Sequence, residues 1–160
     1  MDLDQKEDKM PLTIYRGLGT KEEVLKSLDV AISAITGIAY VDWQRSDPTG
    51  IGSERYPGVF INDLRTDRVQ LLGDIWKNNY VVALVGFVWG EEVDGEGNPK
   101  DLGTTLNTFI TKVKTAVLAD ISRNNNAYDT DIEVIVTDAG SKYPQGEFIM
   151  TLAILFYSAV

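Results

Sequence analysis

Two stretches of this chain are apolar on both sides at once, and this constrains the fold more than any other feature. In Tyr80–Trp89 the even positions read Tyr80, Val82, Leu84, Gly86 and Val88, and the odd ones Val81, Ala83, Val85, Phe87 and Trp89. Phe148–Tyr157 behaves the same way. Phe148, Met150, Leu152, Ile154 and Phe156 alternate with Ile149, Thr151, Ala153, Leu155 and Tyr157. Successive residues of a strand point to opposite faces, and an antiparallel sheet with one wet face alternates apolar with polar. Both faces of a sheet built on these strands must therefore be covered. Each run is about half the ~20 residues that a membrane helix needs.

The remaining pattern supplies two helices and further strands. Thr20 is placed to cap a helix over "TKEEVLKSLDVAISAITG", with Glu23 at capping-box spacing and Val24, Leu25, Leu28, Ala31, Ile32 and Ile35 on one stripe. Gly37 is placed to end it. Ile38–Arg45 reads as a short strand or extended arm, and "SDPTGIGSERYP" as loop. A strand then starts at Gly58, behind a proline that has no N–H to give a ladder. Asn78–Gly90 is rich in β-branched and aromatic residues, as strands are. A second amphipathic helix is expected from Asp101 to about Ser122. Asp131–Thr137 follows as a strand with Ile132, Val134 and Val136 on one face, and Phe148–Ser158 closes the chain. Short links between consecutive strands favour antiparallel pairing.

The expected fold is α+β: one mainly antiparallel sheet of about four strands packed by two helices, with an extended arm. It reads as a single domain over 1–160, in which 1–11 is a flexible leader and 12–160 the folded part. Strands lie about 4.8 Å apart and packed helices about 8–10 Å apart, so two helices cover roughly one face. The second face needs the leader, the 38–56 arm or another subunit.

Composition removes most catalytic chemistry. The chain has neither cysteine nor histidine. That excludes thiolate nucleophiles, Cys-ligated zinc, and Ser-His-Asp or Cys-His machinery within it. A net charge of −9 argues against a broad basic surface for gripping phosphates. The charged start "MDLDQKEDKMP" lacks the apolar core of a secretory signal, so a cytoplasmic setting is expected.

Three stretches echo functional motifs, each against a plainer reading. "EVDGEGNPKD" spaces Glu92, Asp94, Glu96 and Asn98 like a calcium loop, but the twelfth position is Gly103, and an acidic hairpin loop explains it better. Asp129, Asp131 and Glu133 can hold a hard cation only with further ligands; a polar strand edge that discourages stray pairing is the simpler account. "TGIGSERYPG" lacks the P-loop lysine and leads into no helix. No catalytic residue, cofactor site or metal site is expected. Trp43, Trp76 and Trp89 are large aromatics of the kind enriched at interfaces, and plugging the chain's own core is the equal alternative.

The order of elements resembles the tail terminator proteins of long-tailed bacteriophages, the minor tail protein U-like group. The resemblance runs through the capped helix "TKEEVLKSLDVAISAI", the arm ending in "YPGVFI" and the two-sided strand "YVVALVGFVWGEE". It continues through the helix "LGTTLNTFITKVKTAVLADI" and the closing "YDTDIEVIVTDAGSKYPQGEFIMTLAILFYSA", roughly Thr20 to Ala159. It implies a non-enzymatic virion protein of the tail or neck, assembled in the host cytoplasm as a homohexameric ring. Such a ring ends tail-tube polymerisation and joins the tail to the head connector. The implied partners are further copies of the chain, the tail tube protein, connector or neck proteins, and a sheath protein if the tail is contractile. DNA passes the lumen without specific binding. Trp43, Tyr56, Pro57, Trp89, Glu91 and Glu92 are the residues expected at interfaces, with the Ser46–Tyr56 arm free to reach a neighbour. A neck protein, a head-tail completion protein or a tail tube subunit is the alternative within this class. A small cation-binding module or carboxylate-based hydrolase is the alternative outside it.

Overall fold

The computed structural model describes residues 17–44, 50–90, 95–97, 101–138 and 143–159. Helix α1 (Lys21–Ser33) leads into β1 (Tyr40–Trp43), and a 3-10 turn (Ser53–Arg55) precedes β2 (Gly58–Gln70). Then come β3 (Ile75–Trp89), α2 (Leu102–Leu118), β4 (Asp129–Asp138) and β5 (Gln145–Ala159). The strands form one sheet in the order β1-β2-β3-β5-β4. It is antiparallel throughout except for β1, which pairs parallel with β2. The α+β expectation is met, with five strands rather than about four, because the stretch after α1 joins the sheet.

Local chemistry sets the element ends. The Thr20 hydroxyl oxygen accepts from the Glu23 N–H at 3.2 Å, and the hydroxyl donates to the Glu23 carboxylate at 3.0 Å, closing the predicted cap. Asp101 caps α2 by accepting from the Thr104 N–H. α1 ends at Ser33, short of Gly37, which turns the chain in a left-handed conformation instead (φ 87°). α2 likewise stops before Ser122. There the Asp120 carboxylate accepts from the N–H groups of Ser122 and Asn124 and from the Ser122 hydroxyl. This side-chain competition with the helical ladder favours a turn. Arg123, Asn124 and Asn125 follow at positive φ. The Arg123 side chain is buried and donates to the carbonyl oxygens of Val117 and Asp120.

The main core lies between the helices and one face of the sheet. Val24, Leu28 and Ile32 of α1 and Leu106, Phe109, Val113 and Val117 of α2 pack on Tyr80, Val82, Leu84 and Val88 of β3 and on Phe148, Met150, Leu152 and Ile154 of β5. Tyr80 is pushed above the usual phenol range by burial and by the neighbouring Asp63 carboxylate, which pairs with Lys21. On this face a glycine meets an aromatic: Gly86 stands opposite Phe148, whose ring occupies the space a Cβ would take.

β4 departs from the sequence expectation. A bulge between Ile132 and Val134 breaks the period-two alternation. Ile132 and Ile135 turn to the core, while Val134 and Val136 are exposed. The single apolar face of Ile132, Val134 and Val136 is therefore split between the two sides of the sheet.

Gly86→Ala forces a methyl group into the Phe148 ring and should destabilise the chain by about 1–3 kcal/mol, the usual cost of overpacking, as read by denaturant unfolding. Asp120 is held below the usual carboxylate range, first by the Ser122 hydroxyl. A depressed folded-state pKa gives stability that is present above the ordinary value of about 4 and lost as pH falls through the folded value. Asp120→Asn should therefore lower the melting temperature at pH 7, and the gap to wild type should close below about pH 4.

Candidate assembly surface

The parallel pairing of β1 with β2 decides what lies on the second face of the sheet. Tyr40 pairs with Gly58 and Trp43 with Ile61. The chain must therefore travel back past the sheet between residues 43 and 58, because parallel neighbours need a crossover. The described part of that return, residues 50–57, lies on the face away from the helices. Ile51 and Tyr56 pack there with Tyr40, Phe60, Val85, Phe87 and Trp89.

This second cluster is built from rings. Tyr56 meets Phe87 edge-on at 5.0 Å and stacks on Trp89 at 5.3 Å, and Phe87 lies 4.7 Å from Phe60. The Tyr56 hydroxyl donates to Gln145 Oε1 at 2.9 Å, tying the crossover to β5 across the sheet. Gly58 is opposite Phe87 and leaves room for its ring. The peptide bond from Tyr56 to Pro57 is cis, and the Pro57 carbonyl accepts from the Ala39 N–H at 2.8 Å.

The crossover covers only one side of this face. Registry places Val85 beside Ile149 and Ile149 beside Val136; in the next row Ala83 lies beside Thr151 and Thr151 beside Val134. Val136 is 59% exposed, Val134 51% and Ile149 44%. Carboxylates bracket these three. Asp138 and Glu147 pair across the strands at one end, and Asp131 and Asp129 stand opposite Ala153 and Leu155 at the other. The bulged Glu133 is exposed at the same edge. The result is an apolar patch on β4 and β5 with an acidic border.

Of the six residues expected at interfaces, the structure gathers Tyr56, Pro57 and Trp89. It buries Tyr56 in the chain's own sheet and leaves Pro57 and Trp89 half-buried beside it. The expectation of an arm free to reach a neighbour is corrected for residues 50–56, because the crossover needs them at home. Trp43 stands apart at the far end of β1, at the border of exposure. Glu91 and Glu92 lie outside the described residues, as do Glu residue 92's proposed loop companions Asp94 and Asn98. Sequence reasoning did not single out Val134 and Val136 as a surface patch, having placed them on one strand face with Ile132. It also missed Leu71 and Leu72 at the β2–β3 turn; two leucines inside a turn were the available signal.

Among the described residues, no group of acidic side chains is arranged to hold a metal ion, and no helix is long and apolar enough to cross a membrane. No protein-family model matches the chain, and no curated protein matches it significantly.

Truncation separates the two sides of this face. Tyr56→Ala empties the ring cluster and should cost about 3–5 kcal/mol. Val136→Ser removes only exposed surface and should cost about 1 kcal/mol or less. Urea unfolding of both variants checks the contrast.

Proposed function

We propose that the chain is a non-enzymatic structural protein of a phage tail, of the terminator type. In this reading it closes into a ring at the head-proximal end of the tail tube, ends tube growth and presents a surface to the head connector. The observation that carries the reading is the half-open second face: an apolar patch of Val134, Val136 and Ile149 left exposed on a sheet whose other side holds the main core. Such patches mark interaction surfaces.

The one-sheet, two-helix architecture agrees with the group that the element order resembles. The acid excess suits a ring whose lumen passes DNA, because like charge keeps phosphates from adhering. A chain that closes a ring uses two different patches, one for each neighbour.

Electron microscopy and native mass of the purified protein, alone and with tail tubes, test the reading. Closed rings of one size that cap added tubes are expected. Open-ended tubes of the protein itself would assign it as a tube subunit instead. Binding to connector but not to tubes would make it a neck protein. A single copy in solution that ignores both tubes and connectors would end the structural reading.

A further inference from the structure

The second patch that a ring requires is found at the opposite end of the sheet. Beyond β1, strands β2 and β3 continue as a hairpin whose turn carries Leu71 and Leu72. Leu72 is 90% exposed, and Leu64 and Val69 on β2 are exposed as well. The turn is ordered rather than loose. The Leu71 N–H donates to the Ile75 carbonyl at 2.8 Å, the Gln70 side-chain amide donates to the Gly73 carbonyl at 3.0 Å, and Gly73 takes the left-handed conformation. An apolar tip held on a fixed turn loses little entropy on docking.

Charge distinguishes the tip from the β4–β5 patch. Along the hairpin, Arg65, Arg68 and Lys77 stand with Asp67 and Asp74. Arg65 pairs with Asp67, and Arg68 lies over the Trp76 ring at 4.5 Å. In a chain of net charge −9 this is a locally cationic end. The β4–β5 patch is bordered by Asp129, Asp131, Glu133, Asp138 and Glu147. Lys114 of α2 lies beside Asp131 and Glu133 at the β4 edge, yet among the described residues two such patches face to face would bring together more carboxylates than cations, which opposes a symmetric pairing. The hairpin pairs exposed apolar side chains with Arg65, Arg68 and Lys77 against Asp67 and Asp74, a net positive charge set opposite the patch's acidic border. A molecule cannot satisfy itself: Ile75 and Val85 are ten residues apart on one strand, about 33 Å.

We propose that the leucine tip of the β2–β3 hairpin of one copy docks on the acid-bordered Val134–Val136–Ile149 patch of the next copy. The contact is head-to-tail, with tip and patch both left unused at the ends of any open chain of copies. It rests on the ring reading above and specifies its joint.

Two variants test it, Leu72→Asp and Val136→Asp, both at exposed positions; circular dichroism and melts confirm folding. If Val136→Asp melts well below wild type, Ile149→Ser replaces it. Each variant alone should associate about 30-fold more weakly, the loss that marks an interface hot spot, and should remain a single copy by native mass. Mixed in equal amounts they should form a one-to-one dimer and nothing larger. The intact tip of one then meets the intact patch of the other, and the remaining tip and patch are both disabled. If wild type forms rings and both variants form them equally well, the contact is overturned while the ring reading stands. A mixture that stays monomeric also overturns it. Wild type that remains a single copy even beside tail tubes removes the ring reading and the contact together.

Discussion

The parallel register of four residue pairs between β1 and β2 is the constraint on which the rest of the structure depends. An antiparallel β1 could be joined to β2 by a tight turn, leaving the second face bare from edge to edge. Parallel pairing requires the chain to return along the sheet before β2 begins. The helices already occupy one face, so the return runs over the other. It carries Tyr56 onto Phe87 and Trp89 and fixes that ring by a hydrogen bond to Gln145. One edge strand of four residues thus determines which part of the second face is covered and which part is left open.

Two glycines allow the faces to pack so closely. Gly58 faces Phe87 and Gly86 faces Phe148, each across one rung of the ladder. In both pairs the ring lies where a side chain would otherwise stand. The pairs serve opposite faces, Phe87 in the ring cluster under the crossover and Phe148 in the core under α2. A strand glycine is usually a weakness; here the aromatic partner recovers the packing that the missing side chain gives up.

Much of this was legible in the sequence because the signals were local. The capping box at Thr20 and Glu23, the helix stripe through Leu106 and Val113, and Pro57 before a strand all appear where their residues require them. The two-sided apolar run of β3 is covered on both faces, as its pattern demanded, whereas that of β5 is covered on the helix side and leaves Ile149 exposed on the other. What stayed hidden depends on pairing between distant segments. Nothing in "YVDW" distinguishes a parallel edge strand from a free arm, so Tyr56 was placed outward when the sheet needs it inward. The bulge at Glu133 was equally invisible, since alternation across Ile132, Val134 and Val136 is unbroken until β5 imposes its register. The exposed patch was hidden for the same reason: Val134 and Val136 share a face with Ile132 until the ladder splits them.

The distribution of charge turns an exposed apolar surface into a directional one. A patch without a border attracts any greasy partner, itself included. Carboxylates around Val134, Val136 and Ile149 penalise contact with a second acid-rich face, and the net charge of −9 keeps copies apart at long range. Screening limits that repulsion to about 8–10 Å at physiological salt, so local pattern decides the outcome once two copies meet. Only an approach that brings cations over the acidic border together with apolar side chains over the valines gains from both. On the described surface, the β2–β3 hairpin combines those features at the end of the sheet farthest from the patch. A contact between the far ends of successive copies repeats with the same sense at each step, which is the geometry from which rings are made.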